Sequence, residues 1–192
     1  MPTTSANKVL FGLSNVYYAV VTEGENGEFT YGAPVRIPGA TEMSTDPAGE
    51  STSFFADNQV YYEAEANQGY EGTFNFAKLP TSFYVDVLGQ KLVNGGLFEN
   101  SNAKSKRIAL LFEIDGDVQA DRFVYYNVSV SRPGTASKTK EDSTEVNTVE
   151  LNFKATPRPD GAIKWVTGAD TPKEIYDAFY TQVTEPTEVP AG

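Results

Sequence analysis

The side chains available for chemistry in this chain are few in kind. There is no Cys and no His among its 192 residues. Thiolate nucleophiles, His-based triads and Cys/His zinc sites are therefore excluded, and the chain is indifferent to redox compartment. Carboxylate, Lys and oxygen-ligand chemistry remain. The most regular spacing is Asp115, Asp117, Gln119, Asp121, which matches the start of a calcium loop. The match then fails, because the position needing Gly is Ala120 and the position needing Glu is Tyr126. An Asp-rich hairpin turn accounts for the run more simply, since Asp side chains bond their own backbone. A glycosidase needs two carboxylates facing across a cleft; with 26 Asp and Glu residues, nothing singles out a pair. Gly95-Gly96 lacks the spacing and the Lys-Ser/Thr partner of a phosphate loop. Asn127-Val128-Ser129 is a glycosylation sequon inside a predicted strand and reads as a chance match. No catalytic, cofactor-binding or metal-ligating residue is assigned, and no cofactor is expected.

The carboxylates matter more as charge than as catalysts. Lys plus Arg number 15 against 26 acids, a formal net charge of −11, and the pI is near 4.4. Such a chain repels nucleic acid and anionic membrane surfaces. No basic residue lies between Arg36 and Lys78, a span holding Glu42, Asp46, Glu50, Asp57, Glu63, Glu65 and Glu71. One reading is a solvated acidic surface that aids solubility. The functional reading is a wall that repels polyanions. The polar start MPTTSANK, with only Val9 to Leu13 apolar after it, predicts no signal peptide, and no apolar run approaches a membrane helix. A soluble chain made in the cytoplasm is expected.

The elements that must position these residues are mostly strands. Strand patterns cover Val16–Val21, Tyr31–Ile37, Thr52–Ala56, Val60–Ala66, Tyr70–Phe76, Arg107–Ile114, Asp121–Ser131, Val149–Ala155 and Ala162–Val166. Asp57-Asn58 reads as a hairpin turn, and Glu42–Gly49 as an exposed loop. The near-continuous apolar run Arg107–Ile114 predicts a strand covered on both faces. Two helices are predicted. The first follows Pro80, with Thr81 or Ser82 as N-cap, Phe83/Val87 and Tyr84/Leu88 on its apolar side and Gly89 at its end. The second has Thr171 as N-cap, Pro172 at its first position and Glu174 completing a capping box, with Ile175, Phe179 and Val183 on one face. Residues 1–7 and 185–192 are predicted as disordered tails around a single domain, 8–184. The fold class expected is mainly β: an antiparallel β-sandwich or partly closed barrel with one or two flanking α-helices.

Aromatic doublets stand on four of these strands: Tyr17-Tyr18, Phe54-Phe55, Tyr61-Tyr62 and Tyr125-Tyr126. Strand neighbours point to opposite faces, so each such strand carries a large ring on both sides. Tyr tolerates exposure and strands favour aromatics, which is the plain explanation. Cover by another subunit is the sharper one, because aromatics are enriched in interface cores.

Five stretches, in order, resemble the major tail protein, or tail tube protein, of long non-contractile-tailed phages (siphophages) of Gram-positive bacteria. They are KVLFGLSNVYYAVVTE from Lys8, TYGAPVRIPGA from Thr30, FFADNQVYYEAEANQGYEGTF from Phe54, LLFEIDGDVQADRFVYYNVSVSRP from Leu110 and TKEDSTEVNTVELNFKATPRPDG from Thr139. The likeness runs from about Lys8 to about Gly161. It is weaker beyond, and the chain ends before the extra immunoglobulin-like domain that some relatives carry. The resemblance implies a structural, non-enzymatic virion protein. Its subunits would form stacked hexameric rings around the tape measure protein, meet tail terminator and distal tail proteins, and conduct DNA without specific binding. It implies that strands of neighbouring subunits join into one inner barrel and that a loop, by position Thr41–Ser53 with Glu42, Asp46, Pro47 and Glu50, reaches the next ring. Phe54, Phe55, Tyr61, Tyr62, Tyr125 and Tyr126 are then candidates for the self-assembly interface, and Asp57, Glu63, Glu65 and Glu71 for an acidic lumen. Location would be the host cytoplasm during assembly and then the virion tail. The residues taken by themselves also permit a carbohydrate-binding β-sandwich that stacks sugars on Trp165 or exposed Tyr, with a glycoside hydrolase as a remote third reading.

Overall fold

A computed structural model describes residues 6–25, 27–49, 51–56, 59–135, 137 and 147–185, with backbone alone at 51–56 and 60–65. Its frame is an open antiparallel sheet running β2-β1-β10-β11-β12-β7-β4, with β3 added to β1 and β13 to β11. The strands are β1 (Leu10–Glu23), β2 (Phe29–Tyr31), β3 (Val35–Arg36), β4 (Ala40–Ala48), β5 (Ser51–Ala56), β6 (Gln59–Glu65), β7 (Gly69–Phe76), β8 (Lys91–Val93), β9 (Gly96–Phe98), β10 (Ile108–Gly116), β11 (Asp121–Val130), β12 (Val149–Ala155) and β13 (Lys164–Val166). Two short helices, α1 (Thr81–Asp86) and α2 (Lys173–Ala178), complete the described elements. The mainly antiparallel β-sandwich class expected from the sequence is the class found.

Two apolar layers hold the sheet. The larger packs Tyr18, Phe74, Phe76, Phe112, Tyr125, Leu151 and Phe153 together, and α1 closes it with Phe83 and Val87. Phe74 meets Phe112 edge-on at 5.7 Å, so the β7–β12 half of the sheet lies over the β10–β11 half. The smaller layer is on the opposite face of β1, β10 and β11, where Ala19, Ala109, Leu111, Val124 and Tyr126 pack with Phe179. β10 is thus covered on both faces, as its unbroken apolar run predicts, and Ile108 to Phe112 are buried throughout.

Three local expectations are corrected. Glu42–Gly49 is not a loop: Ala40–Ala48 forms β4, paired with β7 from Ala40↔Phe76 to Ala48↔Gly69. Its loop-like composition reflects an edge strand with one solvated face, where Pro47 is tolerated because β4 is paired on one side only. α2 begins at Lys173 with no side-chain cap, because Thr171 Oγ1 instead accepts from the Gly168 backbone N–H at 2.8 Å. That helix stops at Ala178, so of Ile175, Phe179 and Val183 only Phe179 is fully buried. The end of α1 agrees with the sequence: Gly89 adopts φ +70 and Gln90 N–H donates to the Tyr84 carbonyl.

Candidate assembly surfaces

Register brings together residues that the sequence keeps apart. On β7, Phe74 and Phe76 turn into the core, so Glu71, Thr73 and Asn75 turn outward. Pairing places Asp46, Ser44 and Glu42 of β4 beside them, and Lys154, Asn152 and Glu150 of β12 on the other side. The result is a three-strand face that is polar across these three rungs, carrying four carboxylates (Glu42, Asp46, Glu71, Glu150) against one cation, Lys154. A shallow groove runs along it, lined by polar residues of the three strands together with Gly72, Phe153 and, at the end of β11, Ser129, Val130 and Ser131. Short polar contacts stiffen it: Ser44 and Thr73 hydroxyls lie 3.0 Å apart, and Thr41 Oγ1 donates to the Asn75 carbonyl at 3.1 Å.

Glu42, Asp46 and Pro47, expected in an inter-ring loop, therefore lie on the strand next to Glu71, expected at a lumen. Glu150 and Lys154 share the face but were not singled out from the sequence, because nothing local links β12 to β7. Glu50 and Asp57 lie outside the described residues, as do the side chains of Phe54, Phe55, Tyr61, Tyr62, Glu63 and Glu65. The backbone of β5 and β6 forms a two-stranded ribbon, pairing Phe54 with Tyr62 and Phe55 with Val60, and it joins none of the other described strands.

On the two aromatic strands whose side chains are described, β1 and β11, the second face is covered from within the chain. Tyr125 faces the main core and Tyr126 the smaller one, and both are buried. Tyr125 and Tyr126, expected at a self-assembly interface, are thus packed within the subunit. Tyr17 stacks on Tyr180 at 4.6 Å, and Trp165 on Phe179 at 6.2 Å, so the rings of the C-terminal segment supply the cover. This also places Trp165 in a packed layer rather than on a sugar-stacking platform.

Two ionic anchors hold that cover down. Buried Glu113 accepts from Ser14 Oγ, Asn15 Nδ2, Arg122 Nε and Tyr180 Oη. Burial alone would raise its carboxyl pKa, but the bonds from Asn15, Ser14, Tyr180 and Arg122 outweigh it and the pKa falls below 4.5. Arg122 lies over the Tyr176 ring at 3.8 Å and donates to the Tyr176 carbonyl. The second anchor is Arg158, paired with Asp160 and Glu185 and donating to Tyr31 Oη at 3.1 Å. Arg158 holds the Asp160 carboxyl down to about 2. Tyr126 Oη donates to the Thr184 carbonyl, and burial pushes that phenol well up. Glu185, predicted to open a disordered tail, is thus tied to the domain.

The calcium-like run is used in the same structural way. Asn7 Nδ2 donates to the Gln119 carbonyl and to Asp121 Oδ1, Asn7 Oδ1 accepts from Val118 and Gln119 N–H, and the Lys8 N–H donates to Asp117. Asn7, expected in a disordered tail, pins the chain start to the β10–β11 turn. No cluster of three or more metal-ligating side chains occurs among the described residues, and no described helix is long and apolar enough to cross a membrane.

Comparison with known families then decides the class. A family model described as phage tail tube protein matches residues 2–188. This chain belongs to the phage tail tube protein family. Its role is accordingly that of a structural protein of a phage tail, in agreement with the resemblance read from the sequence, and its place is the virion tail. A search of curated proteins found no match.

Proposed function

We propose that the chain is the repeating subunit of a siphophage tail tube, assembling as hexameric rings that stack. The β4–β7–β12 face lines the lumen, around the tape measure protein before ejection and around DNA during it. The observation that carries this reading is that face itself, with four acids and one lysine across its three central rungs, on the back of an aromatic core. A net negative wall passes a polyanion without holding it. Asp57, Glu63 and Glu65 extend the same acidic character along the chain. The β4 edge has one free side, which a neighbouring subunit's strand completes to build a continuous barrel. The β5–β6 ribbon, with Phe54, Phe55, Tyr61 and Tyr62, is the arm that reaches the next ring. Tail terminator and distal tail proteins close the two ends, and assembly takes place in the host cytoplasm.

The test is negative-stain electron microscopy of the purified chain over a concentration series, with light scattering. Rings or hollow tubes are expected without any cofactor. Deleting the ribbon should leave a folded subunit unable to stack. Wild-type-like tubes from that deletion remove the arm assignment, and a glycan-binding monomer overturns the reading as a whole.

A further inference from the structure

The described surface carries two exposed apolar patches, one at each end of the central β1–β10 ladder. The first is the start of β1, where Val9, Leu10 and Phe11 are 57 %, 46 % and 58 % exposed. It lies where Leu10 pairs with Gly116 and Phe11 with Asp115. The second is the β8–β9 hairpin, where Leu92, Val93, Leu97 and Phe98 are 41–60 % exposed. Its turn, Asn94-Gly95, has φ of 51 and 81, the type I′ conformation that builds a tight hairpin. Its base is pinned beside the entry to β10: the Lys106 N–H donates to the Val87 carbonyl, and Gly89 approaches Lys104 too closely to admit a Cβ. The nine residues of β10 span the two ends, roughly 27 Å over its residue-to-residue steps of about 3.4 Å. Contiguous exposed apolar residues of this kind mark interaction sites.

The charges around the patches are opposite. Lys91, Lys104 and Lys106 are exposed around the hairpin, while Glu99 is held by Arg132 at 2.6 Å and Asp86 accepts inward from Tyr18. Around the β1 start are Asp115, Asp117 and Asp121, with Lys8 beside them and Arg122 turned to Glu113. We infer that the β8–β9 hairpin of one copy of this chain docks on the β1 start and β10–β11 turn of the next, apolar against apolar and lysines against aspartates. Different patches at opposite ends of one subunit make a head-to-tail contact, which repeats into rings or stacks instead of stopping at a dimer. This rests on the self-assembly reading above.

The experiment uses the full chain and two variants, Phe11→Ser and Phe98→Ser. Both sites are exposed, so melting temperature and circular dichroism are expected to match wild type. Sedimentation velocity should show each variant needing about tenfold more protein to assemble, the loss of one aromatic anchor. Mixed in equal amounts, the two still share one intact contact per pair and should form heterodimers, which neither forms alone. If wild type forms tubes and both variants do so equally well, this contact is overturned and the tube reading stands. If wild type forms nothing at any concentration, the tube reading fails, and cysteine capture decides the contact. Val9→Cys chain mixed with Leu97→Cys chain should cross-link on oxidation more than either alone, with no native cysteine to interfere. No excess cross-linking in the mixture overturns it.

Discussion

Asp46 and Glu71 stand directly opposite each other across the β4–β7 ladder, with Lys154 on the far side of Glu71. Like charges paired on one sheet face are destabilising, and a single flanking cation offsets only part of that. Glu71→Gln is therefore expected to stabilise the subunit by about 0.3 kcal/mol, a rise in Tm of roughly 1 °C for a chain of this size. The gain should shrink in 1 M salt, where exposed charges are screened. Scanning calorimetry at two salt concentrations checks it. A destabilised variant would mean that Lys154 already overcompensates the pair.

Arg122 ties the sheet to the C-terminal segment, since it pairs with buried Glu113 and lies over Tyr176 and Tyr180. Arg122→Met leaves a buried carboxylate with neutral donors only. The expected loss is about 3 kcal/mol, or a fall in Tm of roughly 6–12 °C. Glu113→Gln in the same chain should recover part of it, because the stranded charge is then gone. Equal stability of the single and double variants would show that packing on Tyr176, and not charge, is the tie.

The Glu113 anchor of the C-terminal segment weakens in acid, and so does the Asp160 carboxylate that steadies Arg158 beside Glu185. Glu113 and Asp160 have folded pKa values below their ordinary 4.5 and 3.8, Asp160 at about 2. Their contribution is present above those ordinary values and is lost as pH falls through the folded ones. Between pH 4.5 and about 2, the segment should loosen before the main core does. Trp165 is the single Trp and stacks on Phe179 within that layer, so its emission reports the release. A red shift preceding the loss of far-ultraviolet circular dichroism is expected; coincident transitions would show that the two layers unfold as one.

What the sequence reveals about this fold depends on how local the determining signal is. The burial of β10 on both faces is legible because Ile108–Phe112 is apolar without a break, and the alternation Val149, Leu151, Phe153 fixes the inward side of β12. β4 is hidden because its inward residues, Met43 and Thr45, are only half-buried at an edge. The β8–β9 hairpin has a clear turn signature in Asn94-Gly95, yet Gly95-Gly96 draws attention as a glycine pair. The acidic face has no local signature at all. It exists because β4 pairs with β7, bringing Glu42 and Asp46 to Glu71, and because β12 then pairs on the other side. The source of the second aromatic cover was equally non-local: Tyr126 reads the same whether a neighbour or its own C-terminal segment lies over it.

The closeness of β4 to β7 depends on Gly72, and this gives the sharpest test of the polar face. A Cβ at Gly72 would lie 2.1 Å from the Ser44 carbonyl oxygen and 3.0 Å from the Phe153 ring. The first neighbour is backbone, so it yields only if β4 moves away from β7. Gly72→Ala should therefore cost 1–3 kcal/mol, the usual range for overpacking (about 2 kcal/mol), and the loss should concentrate at the edge strand. Amide exchange is expected to quicken across β4, whose one sheet partner among the described strands is β7. The amides of Ile108–Phe112 on β10 should stay protected, because that strand is held between two others. With β4 displaced, Asp46 and Glu42 no longer stand beside Glu71 and Asn75, and tube assembly should fail even though the subunit remains folded. Uniformly faster exchange through β10 as well would show that β4 is integral to the core and not an edge that can open separately.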